Sequence, residues 1–210
     1  MGNLLAAEFF KIVRRPMTWI ALVILVAIMV TLRGLLIALS FVSLPTAGQD
    51  QAMPRDLFTS LVTLPGALAD TLNFIPSLGL FALLVVAASN AGTEFAWGTI
   101  VPLLSRGASR TQLVLAKAIA LLVVTVVYLV VTVLVGILLG VLASQLHLGH
   151  VPFDWLTDQW DDFLLSLLRA FWATVPYILG AIALAILFRS SALAMGIVLA
   201  YVFVEQLGFG

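Results

Sequence analysis

The residues best suited to chemistry lie in one short stretch, Gly92–Arg110, which reads GTEFAWGTIVPLLSRGASR. It holds an acid and two arginines, Glu94, Arg106 and Arg110, with Phe95, Trp97 and Thr99 among them. Long apolar runs flank it on both sides. An acid at mid-bilayer costs ~2.5–3.5 kcal/mol on the insertion scale, so Glu94 predicts that the chain leaves hydrocarbon near Gly92. Pro102 permits a short helix to begin, and Gly107 breaks that helix after it has started. The residues support two readings: a plain connecting loop, or a surface that pairs its charges and rings with a partner.

Three other charges, Arg33, Arg169 and Glu205, fall inside apolar runs. At 1.5 Å per residue, Arg33 lies about 24 Å and Glu205 roughly 20 Å along their helices, with Arg169 about two turns into its own. Charged groups at such depth usually face the bundle and pair with one another, so Glu205 is expected to pair with Arg169 or Arg33. The competing reading has both arginines snorkel to headgroups with Glu205 at the water boundary. In either case the arginines could also hold an anionic ligand or a lipid headgroup.

Several chemistries are excluded. The phosphate-cradling pattern GxxxxGK[ST] needs a lysine after a glycine run, and neither Lys11 nor Lys117 is so placed. No Ser/His/Asp arrangement sets a nucleophile beside a base. His147 and His150, with Asp154 nearby, read as a solvated loop rather than a metal site, because Leu-Gly intervenes and further ligands are missing. The chain has no cysteine, which removes thiol catalysis and disulfides. Formal net charge is zero, so global charge names no partner, and no nucleic-acid partner is expected.

The elements that must position these residues emerge from composition. Hydrophobic residues make up 63% of the chain and charged ones 10%, with mean hydropathy +1.20. A soluble domain carries far more charge, and the apolar runs match the length of a bilayer core. The fold class is therefore an all-α polytopic transmembrane bundle. Five spans are expected at 17–41, 73–91, 112–144, 163–188 and 192–209. Lys and Arg cluster before the first span, between the second and third, and at Arg189, while the 145–162 connection carries aspartates alone. The positive-inside rule then places the N-terminus and Gly92–Arg110 in the cytoplasm and 145–162 outside, with a surface-lying amphipathic helix near FDWLTDQWDDF. Residues 3–15 read as an interfacial helix, with Leu5, Phe9, Ile12 and Val13 on one face and Glu8, Lys11 and Arg15 on the other. Ser109-x-x-Gln112 predicts a capping box at the start of the third span. Gly136-x-x-x-Gly140 allows close helix packing, and Pro176 predicts a kink in the fourth span.

The stretch AGTEFAWGTIVPLLSRGASRTQLVLAK resembles the signature of ABC-2 type permeases, the membrane subunits of ATP-binding-cassette transporters. The resemblance rests on Glu94, Gly98-Thr99, Leu103-Leu104-Ser105, Ser109-Arg110 and Lys117, and on EFFKIVRRPMTWI at the N-terminal entry. It implies a plasma-membrane permease that forms a dimer in the bilayer and pairs with ATPase subunits. ATP and Mg would be held by those partners and no cofactor by this chain, which would not itself be an enzyme. It further implies that Gly92–Arg110 docks into the ATPase, with Glu94, Phe95, Trp97, Thr99 and Arg106 as the contact residues. Family members usually have six spans, and five are legible here, so the expectation is that the sequence stops short of a sixth or lacks it. The competing functions are a structural or regulatory membrane protein and, more weakly, an intramembrane enzyme, which would need paired acids or histidines within the spans.

Overall fold

The computed structural model describes residues 2–41, 55–96, 109–152 and 160–209. Those residues form α1 (Gly2–Arg14), α2 (Pro16–Phe41), α3 (Arg55–Val62), α4 (Gly66–Phe74), α5 (Leu80–Ala96), α6 (Arg110–Leu148), α7 (Trp160–Phe188) and α8 (Ser191–Phe209). A π-helical turn, Ile75–Gly79, joins α4 to α5 without a break. Five of the resulting stretches are long and apolar enough to cross a membrane: α2, α4 with α5, α6, α7 and α8.

The second span is longer than its apolar run suggests. The run predicts 73–91, but helix begins at Gly66 and continues to Ala96. Pro76 lies in the π turn, where a missing N–H and a bulky ring would otherwise break an α-helix. The Ser77 hydroxyl donates to the carbonyls of Asn73 at 2.8 Å and Phe74 at 3.1 Å, which supplies a donor near the proline. At the other end of α5, helix continues past Gly92 and carries Glu94 with it.

α5 is the core of the bundle. Leu83, Leu84, Val86, Ala87, Ala88 and Ala91 are buried, and α2, α7 and α8 pack around them. Gly92 lets α8 approach closely: a Cβ there would stand 2.5 Å from the Ser191 nitrogen. Gly136 and Gly140 do the same for α6 against the 64–71 segment, where a Gly136 Cβ would meet Thr71 Cγ2 at 2.5 Å and a Gly140 Cβ would meet Leu64 Cδ2 at 2.9 Å. The small-residue pair is thus used within the chain. Large apolar side chains face outward along α2, α6 and α8, among them Val23, Leu134, Leu138, Val204 and Leu207. A bundle in water would bury such residues, whereas a bilayer solvates them.

α6 starts as its sequence predicts. Ser109 Oγ accepts from the Gln112 N–H at 3.2 Å, and the Ser109 N–H donates to Gln112 Oε1 at 3.4 Å. The helix ends on Gly149 at φ 70°, with the Gly149 N–H bonded to the Gln145 carbonyl. The predicted surface helix near FDWLTDQWDDF falls mostly on residues 153–159, outside the described ones, and α7 begins at Trp160.

Candidate functional site

α1 meets the ends of α5 and α6, and four charges close into a ring there. Glu8 and Lys11 stand three residues apart on α1 and so share a face. Glu94 lies in the last turn of α5, and Lys117 on the buried face of α6 with Leu113, Ala120 and Val124. Lys11 Nζ is 2.8 Å from Glu8 Oε1 and also bonds Glu94 Oε1. Lys117 Nζ is 2.7 Å from Glu94 Oε1 and 3.2 Å from Glu8 Oε2. Signs alternate around the ring, and the two ammonium and two carboxylate charges sum to zero. The side chains of Lys117, Glu94 and Glu8 are only 2%, 3% and 4% exposed, while Lys11 is the partly open member.

Each buried ion costs several kcal/mol in lost hydration, which only well-placed opposite charges offset. Here every charge has two opposite neighbours. Ala116 and Ala120, both fully buried, leave room for the Lys117 stem between helices. Burial alone would lower the Lys11 pKa, but hydrogen bonds and charge from Glu8 and Glu94 outweigh it and leave the ammonium above the ordinary lysine value.

A second clamp sits one turn on. Arg15 donates to Thr93 Oγ1 at 2.6 Å and to the Ser89 carbonyl at 3.3 Å. The α1–α2 bend is itself fastened: Thr18 Oγ1 donates to the Ile12 carbonyl at 3.1 Å, which also takes the Arg15 N–H, and Trp19 Nε1 donates to the Val13 carbonyl at 2.8 Å at the end of α1. Tyr128 Oη of α6 donates to the Thr18 carbonyl at 2.6 Å. α1, the α1–α2 bend, α5 and α6 are therefore tied at one end of the bundle.

This geometry bears on two expectations. Glu94 points into the bundle from the last turn of α5, where Lys11 and Lys117 neutralise its charge. α1 does not turn all of its charges outward. It turns the border between its two faces toward the bundle, burying Glu8 and Ile12 and leaving Phe10 and Val13 exposed, with the Arg14 guanidinium over the Phe10 ring at 4.9 Å. Of the other candidates, Phe95 belongs to the α5 backbone, and its side chain, like Trp97, Thr99 and Arg106, lies outside the described residues.

The intramembrane charges pair differently from expectation. Arg33 is buried and bonds Asp70 Oδ2 at 2.9 Å, the Ala67 carbonyl at 2.7 Å and Thr71 Oγ1 at 3.2 Å. Glu205 accepts from Tyr177 Oη at 2.7 Å. Arg169 is exposed and makes no ion pair among the described residues. It precedes Tyr177 by about 12 Å along α7, out of reach of Glu205. His147 stacks on Phe41 with centroids 4.3 Å apart and its Nε2 lies 2.8 Å from Ser40 Oγ, joining the far ends of α2 and α6.

Sequence reasoning missed the ring and Asp70. A usable signal existed: Glu8, Lys11, Glu94 and Lys117 are two acids and two bases placed by the predicted topology at one end of the bundle. Asp70 was hidden because the apolar run begins after it.

The family model described as ABC-2 family transporter protein matches residues 4–205. No curated protein and no solved structure matches the chain.

Proposed function

This chain belongs to the ABC-2 transporter family, and from that premise we propose that it is a permease subunit moved by ATP that a separate ATPase subunit hydrolyses. The reading has the α1 end of the bundle facing the cytoplasm, in keeping with Lys11, Arg14, Arg15, Arg106, Arg110, Lys117 and Arg189 gathering at that end of the chain's topology. ATP and Mg belong to the partner. Two permease copies assemble with two ATPase subunits in the plasma membrane.

The observation that carries the proposal is the ring. It fixes the end of α5 to α1 and α6 immediately before residues 97–108, so a force applied to that segment reaches three helices at once. Trp97, Thr99 and Arg106 make the contact with the ATPase, and Glu94 positions the segment by holding α5 to its neighbours. Phe95 takes its place at the junction.

Co-expression with a candidate ATP-binding-cassette ATPase from the same source, then purification through a tag on the permease, tests this. The two proteins should purify together. Arg106→Glu should lose the ATPase while the permease still inserts and runs as a single species in detergent. Glu94→Gln should keep the association and lower the stimulation of ATP hydrolysis. An ATPase that purifies equally well with Arg106→Glu and Trp97→Ala would overturn the assignment of the contact.

A further inference from the structure

Between α7 and α8 lies an open groove of about 460 Å³, lined by Pro176, Tyr177, Gly180, Leu184, Ile197 and Tyr201 among others. From Tyr177 to Leu184 it extends about 10 Å along α7. One end is apolar, at Leu184 and Ile197. The other carries two tyrosine rings, Tyr177 and Tyr201, with centroids 6.4 Å apart at an angle of 44°. Beside them stands Glu205, one turn beyond Tyr201 on α8. Its Oε1 takes the Tyr177 hydroxyl, and its Oε2 is buried without a hydrogen-bond partner among the described residues.

A buried carboxylate oxygen left unmatched is costly, and an acid within a span calls for a positive partner. The arginines of the spans do not supply it. Arg33 is held by Asp70, and Arg169 lies more than two turns away along α7. Tyrosine faces attract cations, most strongly where water is excluded. The rest of the groove offers apolar wall. Rings, wall and the carboxylate behind Tyr177 together describe a head-and-tail complement: a positive group over the two tyrosines, drawn by the nearby Glu205 charge, and an apolar body toward Leu184. An anion would be repelled by the carboxylate behind Tyr177, and a neutral chain would gain nothing from it. We infer that the α7–α8 groove binds a lipophilic cation. That this cation is transported rests on the permease reading above; that it binds does not.

The test uses the full chain in lipid nanodiscs with tetraphenylphosphonium as probe, tetraphenylborate as its anionic counterpart, and empty nanodiscs to measure partition into lipid. Binding of tetraphenylphosphonium should saturate, and Glu205→Gln should weaken it about tenfold or more, equivalent to about 1.4 kcal/mol. Gly180→Leu should abolish it: a Cβ at Gly180 meets nothing within 4 Å, so the leucine enters the groove without moving a helix. Tyr201→Leu should weaken it too, and at a residue 61% exposed the change leaves the packing of the bundle intact. Uptake equal to empty discs, equal affinity in Glu205→Gln, binding that survives Gly180→Leu, or tetraphenylborate binding as well as the cation would each overturn the inference. Because the chain has no cysteine, Gly180→Cys offers one more outcome. A disulfide between two copies in the membrane would make the groove a subunit contact and overturn it as well. None of these readouts needs the ATPase, so a failed co-purification leaves them standing.

Discussion

Glu94 of α5 and Lys117 of α6 stand 2.7 Å apart, both almost wholly enclosed, at the place where α1 folds back on the bundle. Their pairing turns two residues that would each oppose membrane insertion into one fixed point. Lys117→Met would leave Glu8 and Glu94 to share Lys11, with one negative charge in excess. Breaking a buried pair from one side typically costs about 3–5 kcal/mol. The double variant Lys117→Met with Glu94→Gln restores neutrality and should recover part of that loss, with a coupling energy of roughly 0.5–3 kcal/mol. Thermal unfolding in detergent gives all three values, and strictly additive losses would contradict the ring.

The Lys11 ammonium predicts how α1 docking depends on pH. Its pKa is raised above the ordinary 10.5 by Glu8 and Glu94 after burial has pulled it down. A base whose folded pKa is the higher one adds stability that is whole below the unfolded pKa and is lost as pH rises through the folded value. A fluorophore on Phe10→Cys, at an exposed α1 position, should therefore report unchanged docking through neutral and mildly alkaline pH and release above about 10.5. Release near neutrality would show that another group controls the contact.

Glycines at different depths should respond oppositely. At Gly92 an added Cβ would lie 2.5 Å from both the nitrogen and Cβ of Ser191, so Gly92→Ala must push α8 off α5, at a cost of about 1–3 kcal/mol. At Gly196, on α8, the same Cβ meets nothing within 4 Å. Gly196→Ala should be neutral or stabilise by about 0.5–1 kcal/mol through helix propensity. Melting temperatures of the two variants, compared with the unmodified chain, decide it.

Arg33 and Asp70 should not be equivalent. The Asp70 side chain is 53% exposed and that of Arg33 only 8%. Asp70→Asn leaves a buried guanidinium without its counter-charge, whereas Arg33→Met leaves an acid that can still reach a polar surrounding. Asp70→Asn should therefore destabilise more than Arg33→Met in the same unfolding assay. The reverse order would mean that the Ala67 carbonyl and Thr71 hydroxyl suffice to hold the arginine.

The spans were legible because apolar runs of bilayer length admit few alternatives, and the start of α6 because Ser109 and Gln112 form a local motif that needs no tertiary context. What stayed hidden depended on partners. Read alone, Glu94 argues for an exit from the membrane; only the crossing of α1, α5 and α6 brings Lys11 and Lys117 to it. GALADTLNF carries Asp70 and Asn73 between two prolines, Pro65 and Pro76, and so reads as connection rather than span. Tyr177 gave no sign that it would meet Glu205, because a neutral hydroxyl does not stand out in an apolar run. Trp97, Thr99 and Arg106 fall outside the described residues, so the contact expected of them is a matter for mutagenesis.

The π turn at Ile75–Gly79 has an angular consequence. Closed by i→i+5 bonds, it takes in one residue more than an α turn. At 3.6 residues per turn, one residue is worth about 100° of rotation. The turn thus sets the phase between the two halves of the second span, so that Thr71 of α4 faces Arg33 and Gly136 while Glu94 of α5 faces Lys117. Deleting one residue there would let the halves join as a regular helix and turn one of them by roughly a quarter of a circle. Either the Arg33 pocket or the Glu94 ring would then lose its partner, although neither includes a residue of the turn.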